Sequence, residues 1–252
     1  MPRISVISDL HCGHRAGLTP PRWWESRESK HGKIQRECWN WYKCEIEKSK
    51  PDILVVNGDA IDGKGQRSGS VEEITTDRNE QVEMAEAAIV ASGAKTVIVV
   101  AGTAYHTGDE EDFEDNLAKA VGAKSFSGQE FVECGGVVFN FKHHVGSSSI
   151  PHGRHTAVSK ERVWNLLWSE RGRQPRANVI VRSHAHYFDY CGGSNWFALT
   201  TPALQAAATK YGRRCSGTVD FGFVQFDCNG GKYTWEAHLL EPAAERAKLL
   251  RV

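Results

Sequence analysis

The sequence predicts an α/β protein in which two packed mixed β-sheets are flanked by helices. Three observations carry this reading. Short, continuous β-branched runs alternate with amphipathic stretches in the first half, an order that calls for crossover units and parallel pairing. Closely spaced strand-like runs fill most of the second half and add a second sheet. The apolar runs end abruptly in Gly, Asn, Asp or His, as buried strands do where a polar edge begins.

The elements follow in order. Residues 4–8 form a strand ending at Asp9, residues 52–56 one ending in Asn57-Gly58-Asp59, and residues 96–100 one ending in Ala101-Gly102-Thr103. Between them, residues 35–48 carry Cys38, Trp41, Tyr42 and Ile46 at helical spacing, and residues 77–91 carry Val82, Ala85, Ile89 and Val90 likewise. Beyond them the pattern predicts strands at 130–141, 178–183, 196–200, 218–226 and 233–239, and helices at 160–170 and 242–250. No internal repeat or low-complexity tract divides residues 1–252, which are expected to form one domain. Residues 12–30, polar and carrying Trp23-Trp24, and residues 63–74, rich in Gly and Ser, are expected to be surface loops near the strand ends.

Composition excludes several classes. The 252 residues are 40 % apolar and 25 % charged with a formal net charge of zero, so there is no global basic field to gather nucleic acid. No apolar run approaches the roughly 20 residues of a membrane span. A strand begins almost at Met1, which leaves no room for a signal peptide. Seven cysteines without a C-x-x-C pair read as reduced thiols of a cytoplasmic protein.

In open α/β sheets ligands gather at the carboxyl ends of strands. Here those ends carry metal-ligand types: Asp9 and His11, then Asp59 and Asp62, then Thr103 and His106, then His143-His144, then His184 and His186. Carboxylate and imidazole together suit Mn²⁺, Fe, Zn²⁺ or Ni²⁺, whereas Mg²⁺ and Ca²⁺ prefer oxygen alone. Any one of these pairs is an ordinary turn sequence, but together, at successive strand ends, they point to a metal centre. His152 and His155 are expected at the surface, and His31 and His238 to be structural. The acidic residues Glu110, Glu111, Asp112, Glu114 and Asp115 read as a solvated helix start.

At these residues the chain resembles the calcineurin-like metallophosphoesterases, whose ordered motifs are D-x-H, G-D-x-x-D-x-G, G-N-H, a strand-end His and G-H-x-H. The matches are Asp9-Leu10-His11, Gly58-Asp59-Ala60-Ile61-Asp62 with its closing Gly displaced by one place, Gly102-Thr103, His143, and His184-Ala185-His186. The resemblance spans about residues 4–190 and implies the four-layer αββα fold of that superfamily. It implies two divalent cations, with Mn²⁺ preferred. Asp9, His11 and His186 would hold one, His143 and His184 the other, and Asp59 would bridge them; His143 is preferred to His144 because it comes first past the strand. The third motif departs from the pattern. Thr103 stands where Asn is expected, and His106 lies two places late, reaching the site only if the loop bulges. His106 would then be the catalytic acid, oriented by Asp62. The opening Asp9-Leu10-His11-Cys12-Gly13-His14, the small size and this departure are similar to phosphoesterases of bacterial viruses and prophages.

Such a centre implies hydrolysis of phosphate esters. Two cations clamp the phosphate oxygens and lower the pKa of a shared water, so that hydroxide attacks in line while an imidazolium protonates the leaving alkoxide. No Ser or Cys nucleophile is needed, and Cys12 reads as a packed thiol. His14, Arg15, Lys64, Arg67 and Thr103 are candidate substrate contacts. Trp23 and Trp24 either stack on a substrate ring or, as preferred, cover the domain's own apolar surface. The absence of Arg beside the third motif favours diesters over monoesters, as does the lack of room for a capping domain. The expected substrates are a small diester, a nucleotide or a nucleic-acid end. A phosphomonoesterase or protein phosphatase, a nuclease, or a non-catalytic scaffold are the alternatives.

Overall fold

The layers follow from the two-residue alternation of the strands. In β1 (Arg3–Ile7), Ile4 and Val6 face one way and Ile7 the other. In β2 (Ile53–Asn57), Val55 joins the first set, and Leu54 and Val56 the second. Each strand therefore has two apolar faces and needs a cover on both. The computed structural model, which describes residues 1–108, 112–148, 150–209, 212, 217–246 and 249–251, supplies them.

One sheet runs in the order β11-β10-β1-β2-β3-β4, with β3 at Thr96–Val100, β4 at Ser125–Ser127, β10 at Phe221–Asn229 and β11 at Lys232–Leu240. Its β1 to β4 pair in parallel, and β10 and β11 add antiparallel strands beyond β1. The other sheet runs β5-β6-β7-β9-β8, with β5 at Glu130–Cys134, β6 at Val137–Phe141, β7 at Val179–Arg182, β8 at Asp189–Gly193 and β9 at Trp196–Thr200. Between the sheets, Ile4, Val6, Val55 and Phe226 meet Phe139, Phe141, Val181 and Leu199. Outside the first sheet, Ile7, Leu54 and Val56 meet α1 (Lys30–Ser49), α2 (Arg78–Val90) and α4 (Phe113–Ala120) through Tyr42, Ile46, Met84 and Leu117. Outside the second, Ile180 and Ala198 meet Val158 of α5 (Arg154–Glu170). The result is two mixed sheets flanked by helices, in four αββα layers.

Register decides where the polar edge falls. Ile7 pairs with Val56, and Asn57 with Val100, so the chain leaves β1, β2 and β3 along one edge. In the second sheet Phe141 pairs with Val181, and Arg182 with Thr200. The residues following all these strands therefore emerge on one rim.

Several elements differ from the sequence expectation. The 130–141 run is a hairpin, broken at Gly135-Gly136, both with positive φ. Helix α1 starts five residues early because Ser29 caps it, its hydroxyl accepting from the Gly32 N–H at 2.9 Å. Helix α5 takes in His155. The short strands β4 and β8 were not anticipated. The expected helix at 242–250 is a single 3-10 turn, Ala243–Glu245, among the residues described there; Leu249 and Leu250 are 83 % exposed, so no apolar face is buried that would hold a longer helix. Residues 12–20, expected as a surface loop, are buried except for Arg15. They are pinned to neighbouring loops by bonds from the Cys12, Arg15 and Ile74 N–H groups to the Ala60, Glu72 and Gly13 carbonyls.

Phe139 is fully buried between the sheets, with ring centroids 5.7 Å from Phe141 and 5.1 Å from Phe226. Phe139→Ala is expected to lower stability by about 3–5 kcal/mol. Urea unfolding would read this, and a loss well under about 1 kcal/mol would mean that this ring does not hold the sheets together.

Candidate metal centre

The loops after β1 and β2 continue to pair after the strands end. The Asp9 N–H donates to the Gly58 carbonyl (2.9 Å), His11 to Asp59 (3.0 Å), Cys12 to Ala60 (3.0 Å), and Asp62 back to Cys12 (3.0 Å). This pairing holds Asp9, His11 and Asp59 in the left-handed region, at φ 50°, 44° and 50°. His184 and His186, after β7, share it at 68° and 55°. Non-glycine residues adopt that conformation at a cost, and here it turns five donor side chains towards one point. Gly58 is required because a Cβ there would stand 2.5 Å from the His143 ring, and Gly102 because one would stand 2.3 Å from Asp59 Oδ1.

The structure brings all six predicted ligands together in two groups. The donor atoms of Asp9, His11 and His186 lie within 4.8 Å of one another, and so do those of Asp59, His143 and His184. His186 Nε2 is 3.2 Å from both Asp9 Oδ1 and His11 Nε2. His143 Nε2 is 3.0 Å from Asp59 Oδ2 and 3.9 Å from Asp9 Oδ1, and His184 Nδ1 is 3.9 Å from Asp59 Oδ2. Asp9 Oδ1 thus faces a histidine of each group. Of the adjacent histidines 143 and 144, the first is buried in the cluster and the second is exposed.

These residues fit divalent cations on their own geometry. Asp9 Oδ1 and His143 Nε2 are buried and, among the described residues, make no hydrogen bond, although oppositely charged atoms stand close by. Donor atoms that converge within hydrogen-bond distance but without its angles are arranged around a point rather than towards each other. The mixed carboxylate and imidazole set suits Mn²⁺, Fe, Zn²⁺ or Ni²⁺.

A supporting layer fixes the donors. His143 Nδ1 donates to the Asn57 carbonyl at 2.8 Å, which turns Nε2 into the cluster. His11 Nδ1 is 2.7 Å from Asp62 Oδ1, leaving its Nε2 for the site. The group His11, Asp62 and His106 also has ligand spacing, but this bond already engages Asp62. His106 reaches the site without a loop bulge. It lies on the short helix α3 (Ala104–Thr107), and one helical turn lifts it back over Thr103. Its Nδ1 donates to the Asp62 carbonyl at 2.8 Å, its ring centroid is 4.6 Å from that of His11, and its Nε2 is 4.0 Å from Asp59 Oδ2. Thr103 points at Asp59: its N–H and hydroxyl donate to Oδ1 at 2.7 and 3.0 Å.

Three supporting residues escaped the sequence reading. Glu114, expected in a solvated run, is fully buried and accepts from the Ala60 and Gly102 N–H groups at 2.7 and 2.5 Å, so it ties the loop bearing Asp59 to the loop bearing Thr103. Its companions Glu110 and Glu111 lie outside the described residues. Glu73 is half-buried beside Asp62, with both carboxylate oxygens out of solvent and, among the described residues, without a hydrogen-bond partner. Asn57 donates to Ser183 Oγ at 2.6 Å, and the Thr201 hydroxyl is 2.7 Å from those of Ser183 and Ser8, a chain that crosses between the sheets beneath the ligands.

No family model matches the sequence, and no curated protein does. Solved chains of similar fold include Vps29 proteins and a phosphodiesterase. Vps29 from Cryptosporidium parvum is 14 % identical, with a TM-score of 0.49 over 95 % of this chain and 97 % of that one. Wild-type Vps29 complexed with Zn²⁺ from Entamoeba histolytica is 13 % identical, at 0.48 over 94 % and 98 %. An archaeal phosphodiesterase is 11 % identical, at 0.46 over 94 % and 99 %. At such scores the likeness decides nothing further.

The expected substrate contacts are placed otherwise. His14 is buried, its Nδ1 accepting from the Ala16 N–H at 2.9 Å and its Nε2 3.9 Å from Glu72. Arg15 is held by Glu25 at 2.5 and 3.1 Å. Both were expected at an open rim; the pinned 12–20 segment buries His14, and Arg15 keeps a partly exposed side chain that Glu25 engages. Trp23 and Trp24 pack on the first sheet's helical layer, and the Trp23 indole donates to Glu80 at 2.8 Å. Cys12 is a packed thiol, its Sγ donating to the Leu18 carbonyl at 3.2 Å. Lys64 is exposed.

Charge in the cluster is unevenly shared. Burial disfavours ionised Asp9, but His186 and His143 outweigh it and lower its pKa to about 2. Burial likewise opposes ionised Asp59, yet His143 holds it well below the ordinary value. Burial also opposes the His143 imidazolium, but the charges of Asp59 and Asp9 raise it to about 10. Burial, reinforced by Asp59, raises Glu114 to about 8; burial and Asp62 raise Glu73 to about 9. His106 and His14 are lowered, chiefly by burial.

The raised groups contribute stability below their unfolded pKa and lose it as pH rises through the folded one. For His143 that window runs from 6.5 to about 10, and for Glu114 and Glu73 from 4.5 to about 8 and 9. The lowered His106 and His14 act oppositely, but only below 6.5. The chelator-treated protein is therefore expected to lose thermal stability steadily from pH 6.5 to 10, and saturating Mn²⁺ to reduce that slope by displacing the His143 proton. Melting temperatures across this range, with and without metal, would check it; a flat profile without metal would mean that His143 does not carry the charge.

Proposed function

We propose that the chain is a metal-dependent phosphoesterase of the calcineurin-like type that hydrolyses phosphodiesters. The observation that carries this is the convergence of buried, unbonded Asp9 Oδ1 and His143 Nε2 with four further Asp and His donors at strand ends of two sheets. When bound, two divalent cations, Mn²⁺ preferred, supply Lewis acidity for the phosphoryl oxygens and for the attacking water.

The chain's own residues have separable roles in this reading. Asp9, His11 and His186 hold one cation; Asp59, His143 and His184 hold the other. Asp62 fixes the His11 ring through Nδ1 and, through its carbonyl, the His106 ring. His106 Nε2 is then the atom turned to the cluster; with the Nδ1 proton committed to the Asp62 carbonyl and burial lowering its pKa, it gives a proton to the leaving alkoxide from the imidazolium form, which acid pH favours. Thr103, where an Asn ligand would be expected, anchors the Asp59 carboxylate instead. Diesters are favoured because neither Arg15 nor Arg182 is free to grip a monoester; Glu25 and Glu161 engage them. A cytoplasmic setting accords with the free cysteines Cys12, Cys38, Cys44, Cys134, Cys191 and Cys228, and no helix among the described residues is long and apolar enough to cross a membrane.

Chelator-treated protein given Mn²⁺, Zn²⁺, Ni²⁺ or Mg²⁺, with bis-nitrophenyl phosphate and nitrophenyl phosphate run in parallel, tests the reading. Metal-restored turnover favouring the diester is expected. No turnover with any metal in folded protein would replace the enzyme with a non-catalytic scaffold, and Thr103 in the Asn position would be the reason. Asp59→Asn should abolish hydrolysis and lower bound metal measured by elemental analysis; full activity would remove Asp59 from the centre. His106→Ala is expected to slow alkyl esters by about 10²–10⁴-fold and nitrophenyl esters far less, since only a poor leaving group needs the proton. Equal losses on both would give His106 a metal-binding or structural role.

A further inference from the structure

Helix α5 packs on β7, β8 and β9, and the outward side of β6 lies beside it as one wall of a groove. A cavity of about 280 Å³ occupies this groove. Its floor is made by Asn140 and Arg182, which alternate along β6 and β7 with the inward Phe139, Phe141 and Val181. Both are 1 % exposed. Arg182 is neutralised by Glu161 at 2.9 and 2.8 Å and donates to the Asn140 carbonyl at 3.0 Å. The Asn140 side-chain oxygen accepts from Gln129 Nε2 at 2.9 Å and from Arg182 at 3.3 Å. Among the described residues its amide nitrogen has no partner. A buried amide donor without an acceptor is costly, and this one belongs to a side chain lining the cavity.

The outer wall is aromatic. Trp164 and Trp168 stand one helical turn apart on α5 and are 56 % and 40 % exposed. Indoles so exposed add little to the core, but they give the polar cavity flat apolar sides. Lys142, also on the lining, precedes His143 in the chain. Asn140 is three strand residues from His143, roughly 10 Å along β6. Phosphate and base within a single nucleotide are separated by a distance of this order.

We infer that the cavity is a base-binding subsite, taking the nucleobase of a nucleotidyl ester whose phosphorus lies at the metal centre; this rests on the phosphoesterase reading above. The tryptophans stack on the ring, the Asn140 amide donates to a ring carbonyl or ring nitrogen, and Lys142 lies on the phosphate side. Stacking tolerates any base, so the subsite selects nucleotides over simple diesters rather than one base over another.

Two measurements test this. Calorimetric titration of the chelator-treated protein with thymidine, which has no phosphate, is expected to show saturable binding that methyl riboside does not show and that Trp164→Ala weakens at least fivefold. With metal restored, the thymidine 5′-nitrophenyl phosphate diester should exceed methyl nitrophenyl phosphate in kcat/KM by roughly 5–150-fold, the range for stacking one base. Trp164→Ala should remove that gain and leave the methyl ester unchanged. Turnover of both esters at equal kcat/KM, with no thymidine binding, would overturn the subsite and leave the phosphoesterase standing. Equal binding of methyl riboside would overturn the choice of a base. Thymidine binding without turnover of either ester would overturn the phosphoesterase reading and leave the base site.

Discussion

The centre depends on the pairing that continues between the loops after β1 and β2. Four backbone hydrogen bonds there, from Asp9 to Gly58 through Asp62 to Cys12, hold Asp9, His11 and Asp59 in the left-handed conformation. Such a conformation costs free energy at each residue, and three adjacent instances persist only where the surroundings fix them. Glu114 does this from below by tying Ala60 to Gly102. Without that frame the extended chain would carry Asp9 and His11 out along one face of the sheet rather than turn them towards a point beyond its edge.

Burial then sets the chemistry. Two carboxylates and several imidazoles are taken out of water together, and each charge is tolerated only because of the others: His143 is raised and Asp9 and Asp59 are lowered by the same proximity. A cation that displaces the His143 proton inherits the field of both carboxylates. The fold also separates tasks by face. Side chains turned inward from β6 and β7 build the inter-sheet core, those at the strand ends build the centre, and those turned outward build the groove beside α5.

Much of this could be read in the chain. The ligands Asp9, His11, Asp59, His143, His184 and His186 were legible because each follows an apolar run whose end is marked by a polar or glycine residue, and strand ends in parallel sheets gather on one edge. The supporting residues were not. Glu114 lies in an acidic run of the composition that solvated helix starts have, and only the packing of α4 buries it. His14 and Arg15 were read as rim residues because the segment is polar, yet the bonds to residues 60 and 72–74 fold it inward.

The sequence by itself therefore determined the strand–helix order, the two-sided apolar strands and the identity of the donors, since these depend on periodicity and residue chemistry within a few positions. Tertiary structure decided the rest. That Thr103 serves Asp59, that a helical turn rather than a bulge brings His106 over the site, and that Asn140 meets Arg182 beneath the groove all depend on chain segments 42 to 44 residues apart meeting in space, and local pattern carries no record of such encounters.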